Sequence, residues 1–171
     1  MNQTKIISKT LYYVCIILSA GYLLTMIYSL FCLLTNMGTT LVDHEKYVHI
    51  NYPFTETSFL ILNNTSSYIL FSFLLPITLY GIFFWLSAKV FRVFFQSKLF
   101  TTENIKTLKL FYVFNIFLPL PIAIFSNFFV EVEGIIWILA FTHFMLGIFA
   151  LFLSGIFSQG LNLQNEQDLF I

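Results

Sequence analysis

Apolar positions fill four long segments of this chain, and polar positions separate them. The apolar segments lie at about residues 11–34, 68–91, 108–130 and 135–157. A helix needs about 20 apolar residues to cross the hydrocarbon core of a bilayer, so each segment is long enough to span it. The pattern therefore predicts an all-α integral membrane protein, with four transmembrane helices bundled into a single membrane domain, 1–171.

The longest polar segment, residues 36–67, contains a pattern typical of a strand. Within it, Lys46–Tyr52 alternates polar and apolar side chains and places Ile50 and Tyr52 on the same side. Such alternation indicates a half-buried strand. Residues Ser58–Leu62 are positioned to pair back on it, so we predict a small extracytoplasmic β-hairpin over the helix ends.

Charge sets the expected orientation of the four helices. Only 9% of the residues are charged and 58% are apolar, whereas soluble domains contain about 25% charged residues. Two of the eight Lys and Arg residues precede the first span, five lie in or beside the connector 92–107, and one lies in the first loop. Because basic residues favour the cytoplasmic side, we expect both termini, the connector and the tail 158–171 in the cytosol. The loops 36–67 and 131–134 are then outside.

Several classes of function find no support in the sequence. The chain has a formal net charge of zero and no basic face, so direct nucleic-acid binding is not expected. Catalytic signatures are missing, and the acidic and histidine residues of the first loop have no recognised ligand spacing, which predicts a non-enzymatic protein without a cofactor or metal.

Cys15 and Cys32 are 17 residues apart in one apolar segment, about 25 Å along a helix, too far for a disulfide. They are expected to be packing residues.

His143 is the one ionisable side chain well inside a predicted span, and an intramembrane ionisable group is a functional candidate. The four spans contain no Asp or Glu that would complete a proton relay. A neutral histidine, hydrogen-bonded across helices, is therefore favoured over a proton acceptor.

Pro76 and Pro121 are expected at similar depth in the outer half of neighbouring spans. Each proline removes a helical hydrogen bond and frees a carbonyl group. Two interpretations are open. The prolines either line a small polar cavity with a function or, as we favour, only kink their helices. The cavity would also be lined by three polar residues: Thr78, Asn115 and Ser126.

Ala150, Ser154 and Ser158 recur every four residues on the fourth span, with Gly147 and Gly155 nearby. A stripe of small residues permits close approach of another helix. The contact is expected within the bundle, and a contact between copies in a homo-oligomer is the alternative.

Two polar segments carry a resemblance to a known family. FTTENIKTLK at Phe100–Lys109 and FSQGLNLQNEQDL at Phe157–Leu169 resemble the paired signatures of a bacterial four-span membrane family, domain of unknown function 2975. The resemblance implies a four-helix protein of the cytoplasmic membrane (the cell inner membrane) without an established activity. It also implies a link to small helix-turn-helix regulators.

The predicted topology brings both segments to the cytosolic side, where we expect a platform for a protein partner. In this hypothesis acidic residues of the tail dock against lysines of the connector, and amide side chains add hydrogen bonds. The candidate residues are Lys98, Glu103, Asn104, Lys106, Lys109, Gln164, Glu166 and Asp168. The alternative is that the two segments are flexible ends that serve solubility alone.

The predicted function is accordingly a non-enzymatic sensor or partner-binding protein. Its expected partners are the lipid bilayer and a cytosolic protein or a second copy of the chain. The alternative is a small transporter, channel subunit or immunity protein that acts through the spans, with His143 and Asn115 as the candidate intramembrane polar residues.

Overall fold

The computed structural model describes residues 3–168, with side chains described as far as residue 167. In this range the chain forms five α-helices and a three-stranded sheet. A π-helical segment, Tyr68–Leu74, leads into the second helix. The helices are α1 (Gln3–Thr35), α2 (Leu75–Val93), α3 (Thr102–Phe117), α4 (Pro119–Ser126) and α5 (Gly134–Asp168).

Four helical units in the described range are long and apolar enough to span a membrane. They are α1, the π-helical segment together with α2, α3 together with α4, and α5. The prediction of four spanning-length helices is thus confirmed. The 35 residues of α5 extend about 52 Å, compared with a hydrocarbon core of about 30 Å. Residues 158–168, predicted as a polar tail, are the helical end of α5.

The first loop folds into an antiparallel sheet of three strands in the order β1 (Thr39–Val42), β2 (Tyr47–Asn51) and β3 (Ser58–Asn63). The predicted hairpin corresponds to β2 and β3, with Val48 opposite Leu62. The sequence pattern did not reveal β1, because four residues are too few to show an alternation. Its side chains are largely exposed, so they carry no apolar signal.

The sheet is held to the helices by a small apolar cluster. Tyr28 of α1 donates a hydrogen bond from its hydroxyl group to the carbonyl oxygen of Asn51 at 2.6 Å. The alternation of β2 ends at an irregularity between Ile50 and Asn51, and Tyr52, expected beside Ile50, is exposed instead. The buried members of the cluster are Cys32, Val48, Ile50 and Leu62. Cys32 and Cys15 are both free and buried, as expected of packing residues.

The third predicted span, 108–130, consists of two helices in the structure. Pro119 has no N–H group to donate to the carbonyl oxygen of Asn115, four residues earlier, so the regular helix cannot continue. The chain breaks at Leu118 and resumes as α4, which ends at Ser126. The break gives the chain a bend next to Asn115.

Helices α3 and α5 approach closely at Gly147. A β-carbon at this position would lie 2.6 Å from Cγ1 of Ile116 and 3.0 Å from its backbone nitrogen. Ala150, one turn further along α5, is buried in a cluster with side chains of α2 and α3. The small-residue stripe therefore makes its contact within the bundle at Gly147 and Ala150, while Ser158 is exposed.

Candidate functional site

The start of α3 is fixed by a local cap. The hydroxyl oxygen of Thr101 accepts a hydrogen bond from the backbone N–H of Asn104 at 3.2 Å, and Glu103 lies in the first turn of the helix. An acidic group near a helix N-terminus is favourable because the N-terminal N–H groups carry partial positive charge. Thr101 is therefore the N-cap of α3.

Asn104 determines the shape of the connector, residues 92–107. Its side chain is 2% exposed. Its amide nitrogen Nδ2 donates to the carbonyl oxygens of Leu99 at 2.8 Å and Lys98 at 3.2 Å. These bonds tie the residues before α3 to its first turn. Asn104, predicted to contact a partner or the tail, is instead an internal residue that positions the connector.

The connector and the C-terminal part of α5 meet through apolar contacts. The ring of Phe100 lies 5.4 Å from the ring of Phe157, at an interplanar angle of 76°. Gly160 offers no room for a side chain, because a β-carbon there would lie 2.8 Å from Cδ1 and Cε1 of Phe100. We call these three residues the junction. The junction joins the two segments that carry the family resemblance.

A buried cluster extends the junction toward the interior of the bundle. Phe157 is 3% exposed and packs with Val93 of α2 and Leu108 of α3, which are 1% and 0% exposed. Three helices therefore converge on Phe157. The connector end of the protein is a packed structure in which the connector and the end of α5 are in contact.

The charged candidates lie on the same two segments of the chain as this apolar contact. Their side chains are exposed, and within the described residues none of them forms an ion pair. The expected pairing of Glu166 with connector lysines is therefore not formed, and Gln164, which is half-buried, makes no hydrogen bond to the connector there. The exposed candidates are Lys98, Glu103, Lys106, Lys109 and Glu166. The side chain of Asp168 lies outside the described residues.

The reason for this difference is energetic. An exposed ion pair contributes about 0–1 kcal/mol, whereas burial of an aromatic ring contributes about 1.5–3 kcal/mol. The aromatic contact is sufficient to join the two segments. The two quoted signatures contain all three residues of the junction. One sequence signal could have revealed their role: Gly160 follows the aromatic Phe157 by about one helical turn, inside a polar segment.

The polar pair inside the bundle has the geometry predicted for His143. Its ring nitrogen Nδ1 lies 2.8 Å from Oδ1 of Asn115, on a different helix. Asn115 is fully buried, and its Nδ2 donates to the carbonyl oxygen of Phe111 at 2.8 Å. Because Oδ1 is an acceptor, Nδ1 of His143 is the donor. The expected hydrogen bond across helices is confirmed.

Aromatic side chains hold the imidazole ring of His143 in place. The ring of Phe83 meets it edge-on, with centroids 4.5 Å apart and an interplanar angle of 88°. Tyr80 lies 5.7 Å away. Both residues belong to α2, so His143 connects three helices through one hydrogen bond and two aromatic contacts.

A cavity of about 80 Å³ adjoins His143 between α2, α4 and α5. Pro76 and Ser126 line it, as the polar-cavity hypothesis requires, but the second proline in its wall is Pro119 and Pro121 is exposed. The helix break at Leu118 turns Pro119 inward. Thr78 and Asn115, the other two polar residues expected there, do not line the cavity. Thr78 donates to the carbonyl oxygen of Leu74 at 2.7 Å, and Asn115 pairs with His143.

The potential ligand side chains of the first loop do not assemble. Asp43, His44 and Glu45 form the exposed turn between β1 and β2, and His49 lies on β2. No group of three His, Cys, Asp or Glu side chains suited to a metal ion occurs in the described part of the chain.

Comparison with known proteins gives one match. The family model described as "Protein of unknown function (DUF2975)" matches residues 36–171, which include both signature segments. No curated protein and no solved structure matches the chain.

Proposed function

The chain belongs to the DUF2975 family of proteins of unknown function, and from that premise we propose that it is a multi-pass protein of the bacterial cytoplasmic membrane that binds a cytosolic protein partner. In this proposal it is not an enzyme. The N-terminus, the connector and the end of α5 are cytosolic, and the three-stranded sheet is outside. Seven basic residues on the proposed inner side, compared with one outside, support this orientation.

The observation that carries the proposal is the junction. Phe100 packs against Phe157 and Gly160, so the connector and the end of α5 form one ordered surface rather than two independent flexible ends. A preformed surface loses little conformational entropy when a partner binds. This favours the platform over the alternative in which both segments serve solubility alone.

The charges of this surface indicate the chemistry of the partner. Lys98, Lys106 and Lys109 are exposed and form no ion pair within the described residues. Three such cations attract an acidic surface and speed its encounter. We therefore propose a partner with an acidic patch, and the helix-turn-helix regulators implied by the family resemblance are the class to examine first.

The test is co-purification from bacterial membranes with a triple variant, Lys98→Gln/Lys106→Gln/Lys109→Gln. Loss of three exposed ion pairs, each worth about 0.2–1 kcal/mol, is expected to weaken partner binding about three- to a hundredfold. Glutamine removes charge without adding acid, and Lys5, Lys9, Lys89 and Arg92 remain to maintain the orientation. The recovery of each partner is quantified by mass spectrometry.

The matched control is Lys5→Gln/Lys9→Gln, which removes cytosolic charge from α1 rather than from the connector and is expected to retain the partner. A second variant, Glu166→Lys/Asp168→Lys, reverses two acidic charges at the end of the sequence segment that follows Gly160. The proposed platform is wrong if the triple lysine variant and the Glu166→Lys/Asp168→Lys variant both recover the same partners as the unmodified protein, in the same amounts.

The polar pair of His143 and Asn115 favours a second candidate, a small transporter, channel subunit or immunity protein. Liposome flux or toxin sensitivity separates the two. A change with His143→Ala that is unaffected by removal of residues 158–171 supports the second candidate.

A further inference from the structure

The turn between β2 and β3, residues 52–57, carries a fully exposed aromatic side chain, that of Phe54. Its backbone φ of 62° is left-handed, a conformation that is rare for a bulky residue and that turns usually place at glycine or asparagine. Because the ring is fully exposed, no packing within the protein offsets this strain. An apolar environment outside the protein would make the position of the ring favourable, whereas water would not.

The turn lies beside an inner part of α1. Asn51, immediately before the turn, accepts a hydrogen bond at its carbonyl oxygen from the hydroxyl group of Tyr28 at 2.6 Å. Lys9 is the last charged residue of α1, and Tyr28 follows it by 19 residues, about 28 Å along the helix. A hydrocarbon core about 30 Å thick that begins at Lys9 or further along α1 therefore has its outer edge at Tyr28 or beyond it.

The strands lead outward from this level. β3 runs from the turn toward the start of the second span at Tyr68. Ser19 of α1 donates to the carbonyl oxygen of Gly81 at 2.8 Å, so the two spans lie side by side there. Counted from this contact, Thr35 is 16 residues and Tyr68 is 13 residues further out, so both lie about 6–10 Å outside the level of Tyr28. The turn 52–57 is thus the end of the sheet that faces the bilayer.

The two ends of the sheet expose different side chains. The outer turn, 43–46, is Asp-His-Glu-Lys, and all four residues are exposed. The end that faces the bilayer exposes large apolar or aromatic side chains, those of Met37, Tyr52 and Phe54. Met37 belongs to this end because the glycine that follows it accepts from the backbone N–H of Asn51 at 2.8 Å. This polarity along the strands agrees with the depth measured on α1.

We propose that the turn 52–57 anchors the sheet in the bilayer surface, with the ring of Phe54 inserted between phospholipid acyl chains just below the headgroups. At this depth an exposed side chain is surrounded by lipid, and aromatic residues such as Tyr52 favour the membrane interface. Glu56 stays among the hydrated headgroups, since a carboxylate in hydrocarbon would lose its hydration. The inference rests on the proposal that the chain spans the membrane, but not on the cytosolic platform.

Tryptophan fluorescence of the full chain in lipid nanodiscs tests the proposal. The background is Trp85→Phe/Trp137→Phe, which removes both native tryptophans. Single tryptophans then replace Phe54, Val42 or Ile17, all of which are exposed. Val42→Trp is the matched control, since Val42 ends β1 beside the outer turn. Nitroxide-labelled phosphatidylcholines, with the label near the headgroup or near the chain end, quench from the lipid, and acrylamide quenches from water.

We expect Phe54→Trp to emit at a shorter wavelength than Val42→Trp, to lose more emission to the headgroup-proximal label and to lose less to acrylamide. Ile17→Trp reports on the middle of α1 and should be quenched most by the label near the chain end. If Ile17→Trp is not quenched by either lipid, the membrane span itself is wrong.

If Ile17→Trp is quenched by lipid but Phe54→Trp behaves like Val42→Trp, only the anchor is overturned. Protection of Phe54→Trp from both lipid labels and from acrylamide would show that protein covers this turn, and that result would also overturn the anchor.

Discussion

Replacement of Gly160 by leucine is expected to separate the connector from the end of α5. A β-carbon at position 160 would lie 2.8 Å from two ring atoms of Phe100 and 3.0 Å from a third. Leucine adds three more carbons, so the ring must leave its position against Phe157. Overpacking of this kind costs about 1–3 kcal/mol, and we expect a lower melting temperature and faster tryptic cleavage at Lys98.

Gly155→Leu is the matched control for this prediction. Gly155 lies on the same helix, and nothing would contact its β-carbon within 4 Å. Because glycine in a helix interior is less favourable than leucine by about 0.5–1 kcal/mol, this variant is expected to be as stable as the unmodified protein or slightly more stable. Equal loss of stability in the two variants would show that the junction is not the cause.

A second substitution identifies the steric conflict directly. In the double variant Gly160→Leu/Phe100→Ala, the ring that leucine would displace is absent. We expect the double variant to lose less stability than the sum of the two single variants, because interacting residues give non-additive effects. Additive losses would mean that Phe100 and Gly160 do not interact.

Gly147→Ala is expected to separate α3 from α5 and to have the second large effect. The new methyl group would lie 2.6 Å from Cγ1 of Ile116, 3.0 Å from its backbone nitrogen and 3.1 Å from Cβ of Asn115. The backbone nitrogen belongs to a regular helix and cannot rotate away, so the helices must move apart. We expect a loss of about 1–3 kcal/mol in the free energy of unfolding.

The same movement should disturb the polar pair. Asn115 is itself one of the contacted residues, and His143 lies one turn before Gly147 on α5, so the hydrogen bond of 2.8 Å between them is expected to lengthen. Thermal unfolding in detergent and the ¹⁵N resonance of Nδ1 measure the two consequences. Gly155→Ala is the control and should raise stability by about 0.5–1 kcal/mol. If Gly147→Ala is equally stable, the close helix contact is absent.

The sequence was sufficient to predict the features that depend on local patterns. Apolar length predicted four spanning-length helices, and alternation predicted the pairing of β2 with β3. The absence of acidic residues from the spans favoured a hydrogen-bonded His143, which the structure confirms. Each of these inferences depends on residues close together in the chain or on the composition of a single segment.

The features that were missed depend on interactions between distant segments or on details of backbone geometry. Hydropathy measures apolar length but not helix continuity, so the break at Leu118 was hidden inside one apolar segment. The inward position of Pro119, rather than Pro121, depends on the direction of that break. Phe100 and Gly160 are 60 residues apart in the chain, and their contact leaves no local pattern. The local sequence therefore indicated charge, rather than apolar packing, as the link between the two segments.

Thiol labelling in intact cells tests the central claim, which is that the connector and the end of α5 occupy the cytosolic side together. The background is Cys15→Ala/Cys32→Ala, and single cysteines replace Lys98, Asn162 or Glu56, all of which are exposed. With a membrane-impermeant maleimide, we expect labelling of position 56 in intact cells, and of positions 98 and 162 only after permeabilisation. Labelling of position 98 in intact cells, or different behaviour of positions 98 and 162, would contradict the account.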